Sequence, residues 1–309
     1  MWILYVLIIL AVIVFFTATY LCYRICFYSP NKEKYRDRPF SQSMDPFLEK
    51  LNEWFNRTRA LPCEDVWITS FDNLRLHAKY FECPTFNGTV EIMVHGYRGN
   101  GERDLCGGVM RAFKLNHNVL MVDQRGCGIS EGKVISFGIK EQNDCLKWAQ
   151  YVNARFNGNV KIILTGISMG AATVLLTSAL NLPKSVAGII ADCGYSSTEK
   201  IIRHVLTKTP FPRRLTFFLV RLGGILFGRF DICSEKASPE KALEKCNIPV
   251  FLIHGEEDKF VPCYMSEENY KAIKSKKLLI TVPQAKHGMA YLFAPDKYVS
   301  SLKEFFYNE

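Results

Sequence analysis

The 309-residue chain has no cysteine framework. Its 11 cysteines are odd in number and scattered, with no C-x-x-C pair and no Cys/His cluster, which excludes a disulfide scaffold and gives no zinc pattern. A Walker A loop, an H-E-x-x-H helix and the paired carboxylates of a glycosidase are all missing. Gly126, Gly128 and Gly132 miss the dinucleotide spacing G-x-G-x-x-G by one residue. No cofactor is expected. Only 22% of residues are charged against 48% apolar, which excludes a disordered chain. No nucleic-acid recognition motif accompanies the net charge of +9. Only one long apolar run exists, so a polytopic transporter is excluded.

That run is the first thing present. From Met1 to Tyr23 there is no charged side chain, and as a helix it reaches roughly 35 Å, enough for a hydrocarbon core of ~30 Å. A cleaved signal peptide needs a basic start, a shorter apolar core and a small-x-small site, and Thr19-Tyr20-Leu21-Cys22-Tyr23 supplies none. Residues 1–28 are therefore read as an uncleaved transmembrane anchor. Arg24, Lys32, Lys34, Arg36 and Arg38 follow the run, and nothing basic but the α-amine precedes it, so the remainder is expected on the cytoplasmic side. Unpaired cysteines agree with that side.

Residues 29–61 read as a juxtamembrane linker followed by an amphipathic helix from Asp45 to Arg59, apolar at Phe47, Leu48, Leu51, Trp54 and Phe55. From residue 62 the texture becomes α/β. A hairpin turns at Asp72-Asn73 between Val66–Ser70 and Leu74–Phe81. Strands are then expected at Val90–His95, Val119–Asp123, Val160–Thr165, Val186–Asp192, Val250–His254 and Leu278–Val282. The later runs are continuously apolar, as in strands buried on both faces of a parallel sheet. Helices are expected at Gly138–Phe156, Ala171–Leu180, Met265–Ile273 and Asp296–Phe306. An insertion at 198–236 carries helical stretches Ile201–Leu206 and Leu215–Phe227 around Pro210-Phe211-Pro212, and is a candidate lid. From Lys200 to Phe230 it holds seven Lys/Arg and no acid, a pattern suited to an anionic membrane leaflet.

Gly166-Ile167-Ser168-Met169-Gly170, with a strand before and a helix after, has the pattern of a nucleophile elbow. The serine hydroxyl needs a base and the base an orienting carboxylate. His287, in a loop after the last strand, is the candidate base. His95 and His254 close core strands, where packing is the default role, and His77, His117 and His204 lie in a hairpin, a polar loop and the insertion. Asp258, after the penultimate strand, is the candidate acid. Asp192, at the end of the strand before, is its rival, and Glu256 and Glu257 read as solvated charges. An oxyanion would be held by the amides of Met169 and of Tyr97 in His95-Gly96-Tyr97-Arg98-Gly99, with the Tyr97 side chain alternatively lining the acyl pocket.

Taken together, His95-Gly96, Asp123-x-Arg125-Gly-x-Gly-x-Ser130, Gly166-x-Ser168-x-Gly170, His254-Gly-x-x-Asp258-x-x-Val-Pro262 and His287-Gly288 resemble the α/β-hydrolase superfamily across residues 62–309. Within it the chain looks most like bacterial membrane-anchored hydrolases of the serine aminopeptidase-like or lysophospholipase-like kind. The resemblance implies an eight-stranded, mostly parallel sheet with a helical cap between the sixth and seventh strands, matching 198–236. It implies hydrolysis of acyl esters, thioesters or small peptides without a cofactor. An ester with an apolar acyl chain is the expected substrate, admitted from the membrane through the lid. A peptidase would want an acidic side chain facing the site, and a non-catalytic binding protein would want a broken triad.

Overall fold

The structure, a computed structural model, describes residues 1–29 and 46–307. The linker at 30–45, with the expected start of the amphipathic helix at Asp45, lies outside the described residues.

Eight strands form one sheet in the order β1-β2-β4-β3-β5-β6-β7-β8. They are β1 (Glu64–Thr69), β2 (Arg75–Phe81), β3 (Thr89–Val94), β4 (Asn118–Val122), β5 (Lys161–Ile167), β6 (Val186–Asp192), β7 (Val250–Gly255) and β8 (Lys277–Val282). The pairs β1/β2 and β2/β4 are antiparallel and the others parallel. β3, β4 and β7 are buried at every residue, which is why their sequences run apolar without alternation. The exception inside β3 is Glu91, fully buried and paired with Arg111 and His117. A charge in such a place persists only with partners.

Helices cover both faces. One layer joins α5 (Glu141–Arg155) and α6 (Met169–Thr177) over β1 to β6. The other holds α2 (Pro46–Ala60), α3 (Gly101–Asp104), α4 (Cys106–Lys114), α11 (Ala290–Phe293) and α12 (Pro295–Tyr307) around Trp54, Phe251 and Tyr298. Helix α4 carries Gly107-Gly108, whose poor helix propensity hides it in the sequence. Gly107 favours the close packing there, since a Cβ would stand 3.1 Å from the Trp54 ring of α2 and push it back.

Between β6 and β7 the chain makes the expected helical insertion: α7 (Thr198–Leu206), α8 (Arg213–Gly223), a π-helical turn at Gly224–Gly228 and α9 (Pro239–Leu243), before α10 (Tyr264–Ala272) follows β7. Helix α1 (Trp2–Phe27) is long and apolar enough to cross a membrane. Its lower turns are not free. Thr19, Tyr23 and Phe27, four residues apart on one face, are buried. They pack against α8 and the turn after it, with Phe27 and Phe230 ring centres 5.0 Å apart and Phe15 and Phe218 6.4 Å apart. Gly223 permits the approach, since a Cβ there would lie 3.0 Å from the Thr19 carbonyl and from the Tyr23 Cβ. Phe211, Leu215 and Phe218 of this insertion are exposed.

Candidate active site

The turn from β5 to α6 sets the geometry. Ser168 sits at φ +57° and ψ −119°, a strained conformation for a residue with a side chain. Its neighbours must be glycine: a Cβ on Gly166 would meet the Gly170 carbonyl at 2.2 Å, and one on Gly170 the Val94 carbonyl at 2.0 Å. The Ser168 amide donates to the Asp192 carbonyl at 2.9 Å, which holds the turn onto β6.

Ser168 Oγ lies 2.9 Å from His287 Nε2, and His287 Nδ1 lies 2.6 Å from Asp258 Oδ2. The structure thus brings together three residues separated by 90 and 29 positions in the chain. The Asp258 side chain is buried, and its other oxygen accepts from the amides of Phe260 and Val261 at 2.8 and 2.9 Å. Burial alone would raise this carboxyl, but hydrogen bonds from His254 and His287 and the nearby imidazole hold it well below the usual carboxylate range.

Asp192 does not join this relay. Its carboxylate faces the Tyr298 hydroxyl at 3.5 Å, Oδ1 has no hydrogen-bond partner among the described residues, and burial pushes its pKa up to about 6. Glu256 and Glu257 lie exposed on the loop. His95 and His254 are fully buried in structural roles. His95 Nδ1 reaches the Gly96 carbonyl while Nε2 accepts from the Gln124 amide, and His254 is held by Ser266 and the Val261 carbonyl. Cys193, Asp258 and His287 could offer three metal-ligand atoms within 4.8 Å of one another. Burial raises the Cys193 thiol well above its ordinary pKa, and a thiol kept protonated is a poor ligand.

A cavity of about 310 Å³ opens beside Ser168 and His287. Its walls come from α2 (Leu51, Trp54), α4 (Cys106) and α11 (Tyr291, Leu292), together with Tyr97. Met169, buried at the start of α6, is not among the lining residues. None of residues 198–236 lines it among the described residues. The expected lid therefore does not wall the acyl side. It is occupied instead with α1. Tyr97 borders the cavity, and its side chain reaches α1 and Phe137: the hydroxyl donates to the Cys26 carbonyl at 2.7 Å while the ring stacks on Phe137.

Asp104 also lines this cavity, and the sequence reading missed it. Its carboxylate takes the Gly96 amide and leaves no room for a side chain at Gly99, where a Cβ would lie 1.8 Å from Oδ2. The available signal was Asn100, whose side chain caps α3 by accepting from the Arg103 amide.

A family model described as the alpha/beta hydrolase fold matches residues 92–218. The chain has the α/β-hydrolase fold. Similar solved structures include the esterase Pf2001 of Pyrococcus furiosus, at 21% identity and a TM-score of 0.64, covering 87% of this chain and 98% of that one. Est1E of Butyrivibrio proteoclasticus, solved with ferulic acid, gives 21% identity and a TM-score of 0.61 over 78% and 97% of the two chains. Among curated proteins, YqkD of Bacillus subtilis, described as uncharacterized, is 28% identical over 236 residues, 74% of each chain. The α/β-hydrolase domain-containing protein WAV2 of Arabidopsis thaliana is 27% identical over 256 residues, 79% of this chain and 78% of its own.

Proposed function

We propose that this α/β-hydrolase is a membrane-anchored serine hydrolase that cleaves carboxylic esters through an acyl-enzyme. The observation that carries the reading is the unbroken relay from Ser168 through His287 to Asp258, on a strained elbow beside an open, mostly apolar cavity. Esterases among the similar folds support it.

In the acylation step Ser168 Oγ attacks the acyl carbonyl and gives its proton to His287 Nε2. The imidazolium is stabilised by Asp258, which stays ionised because two amides and two histidines hold it. The amides of Met169 and Tyr97 take the oxyanion. His287 then passes the proton to the leaving alcohol, and the same residues activate water to release the acid. The burial of Thr19, Tyr23 and Phe27 in the folded domain supports an uncleaved α1. Its flanking arginine and lysines favour the cytoplasmic side, and the basic insertion suits an anionic leaflet. Lipid or lysolipid acyl esters are the finer substrate reading.

One observation favours a second reading, the peptidase of the aminopeptidase-like kind. Two acids, Asp104 and Asp192, line the cavity and would attract a substrate amino group. An aminoacyl p-nitroanilide assayed beside p-nitrophenyl butyrate separates the two.

The test of the main reading is fluorophosphonate labelling of the full chain in membranes. Wild type should label, and Ser168→Ala should not. A folded wild type that stays unlabelled and hydrolyses neither substrate would leave a binding protein on a hydrolase scaffold.

A further inference from the structure

The last turn of a helix leaves carbonyls with no partner inside the helix. In α1 these carbonyls are met by the catalytic domain. Arg98 Nη2 donates to the Ile25 carbonyl at 2.8 Å and to the Tyr28 carbonyl at 2.9 Å. The Tyr97 hydroxyl takes Cys26 and the Ile135 amide takes Phe27, each within 2.8 Å. Three of these four hydrogen bonds come from two adjacent residues, Tyr97 and Arg98, of one short loop, His95–Gly99, which borders the cavity at Gly96 and Tyr97.

That loop is held by force. Arg98 lies at φ +51°, a region that side chains rarely adopt, and the Asp104 carboxylate fills the space beside Gly99. A strained residue keeps its conformation only where its surroundings fix it, and for Arg98 the fixed partner is the end of α1. The guanidinium also gains from the negative end of the helix dipole.

We propose that Arg98 is a positioning residue. Through it the C-terminal turn of α1 holds the His95–Gly99 loop so that the Tyr97 amide points at the developing oxyanion. The membrane helix is then a working part of the hydrolytic site as well as its tether. This rests on the oxyanion role given to Tyr97 above.

The test uses the full chain in detergent micelles, with p-nitrophenyl butyrate and a trifluoromethyl ketone of the same acyl group as an oxyanion analogue. Arg98→Ala should lower kcat about 10- to 100-fold with KM within twofold, since a misaimed donor loses part of the ~100-fold or more that one oxyanion bond supplies. Affinity for the ketone should fall in proportion to kcat/KM, and Arg98→Lys should restore part of both. Tyr97→Phe keeps the ring on Phe137 and removes only the bond to Cys26; it should lose several-fold in kcat, and it gives a reading if Arg98→Ala fails to fold. Unchanged kcat in these variants, or a loss that appears in KM with ketone affinity intact, would overturn the proposal. Absence of hydrolysis in wild type would instead overturn the esterase reading on which it stands.

Discussion

His254 Nε2 lies 3.3 Å from the same Asp258 oxygen that His287 holds at 2.6 Å. Asp258 therefore sits between two histidines, with its second oxygen on two amides, while Asp192 one strand away has nothing comparable. Asp258→Asn should reduce kcat for p-nitrophenyl butyrate by on the order of 10³- to 10⁴-fold, because the amide cannot hold the imidazolium. Asp192→Asn should stay within about threefold. Comparable losses in both variants would mean that the acid has been misassigned.

The two aspartates should also leave opposite marks on stability. Asp258 is held below its unfolded value, so its contribution is present above pH ~4 and fades as pH falls further. Asp192, raised to about 6, costs stability while charged, so the fold should gain as pH drops from 6 toward 4. Thermal unfolding of Asp192→Asn at pH 8 should show a gain on the order of 1–3 kcal/mol, and the rise between pH 6 and 4 should shrink, with the buried Asp144, also raised to about 6, supplying the remainder. A variant no more stable than wild type at pH 8 would contradict the burial argument.

Acyl preference should be written in α2. Trp54 of α2 and Tyr291 of α11 pack against each other in the cavity wall, their rings tilted by 33° with centres 5.2 Å apart. Trp54→Ala should shift the best p-nitrophenyl ester toward longer chains by two or more carbons. Phe217→Ala, buried in the insertion against the Arg203 guanidinium, should leave the chain-length profile where it was. The reverse pattern would return the lid to the acyl side.

Arg125 is buried and joins Asp72 to Asp144 with four hydrogen bonds of 2.6 to 3.0 Å. Arg125→Met leaves the buried Asp144 carboxylate without its cation and should cost about 3–5 kcal/mol. A Tm lowered by roughly 10 °C would follow for a domain of this size. A loss of under 1 kcal/mol would show that water reaches Asp144.

Much of this was readable in the chain. Strands buried on both faces announced themselves as unbroken apolar runs, and Gly166 and Gly170 announced the elbow, because neither demand can be met by other residue types. The choice between Asp258 and Asp192 was not readable with the same force, since both follow a strand. It depends on the amides of Phe260 and Val261, which only the folded loop presents. Helix α4 was hidden by Gly107-Gly108, and the walls of the cavity by their distance in sequence from the serine. Helix α1 hid its packing against α8 for a simpler reason. Residues such as Tyr23 and Phe27 look alike whether they face lipid or a protein core, so a run of them reads as a tether and nothing more.

The cavity and the insertion are built from different stretches of chain. Much of the cavity wall comes from α2, α4 and α11, and the face that packs along α1 comes from α8 and the turn after it. Tyr97 belongs to both, lining the cavity and bonding α1 at Cys26. Substitutions in α2 and in α8 therefore act on separate surfaces, and those at Tyr97 act on the two together.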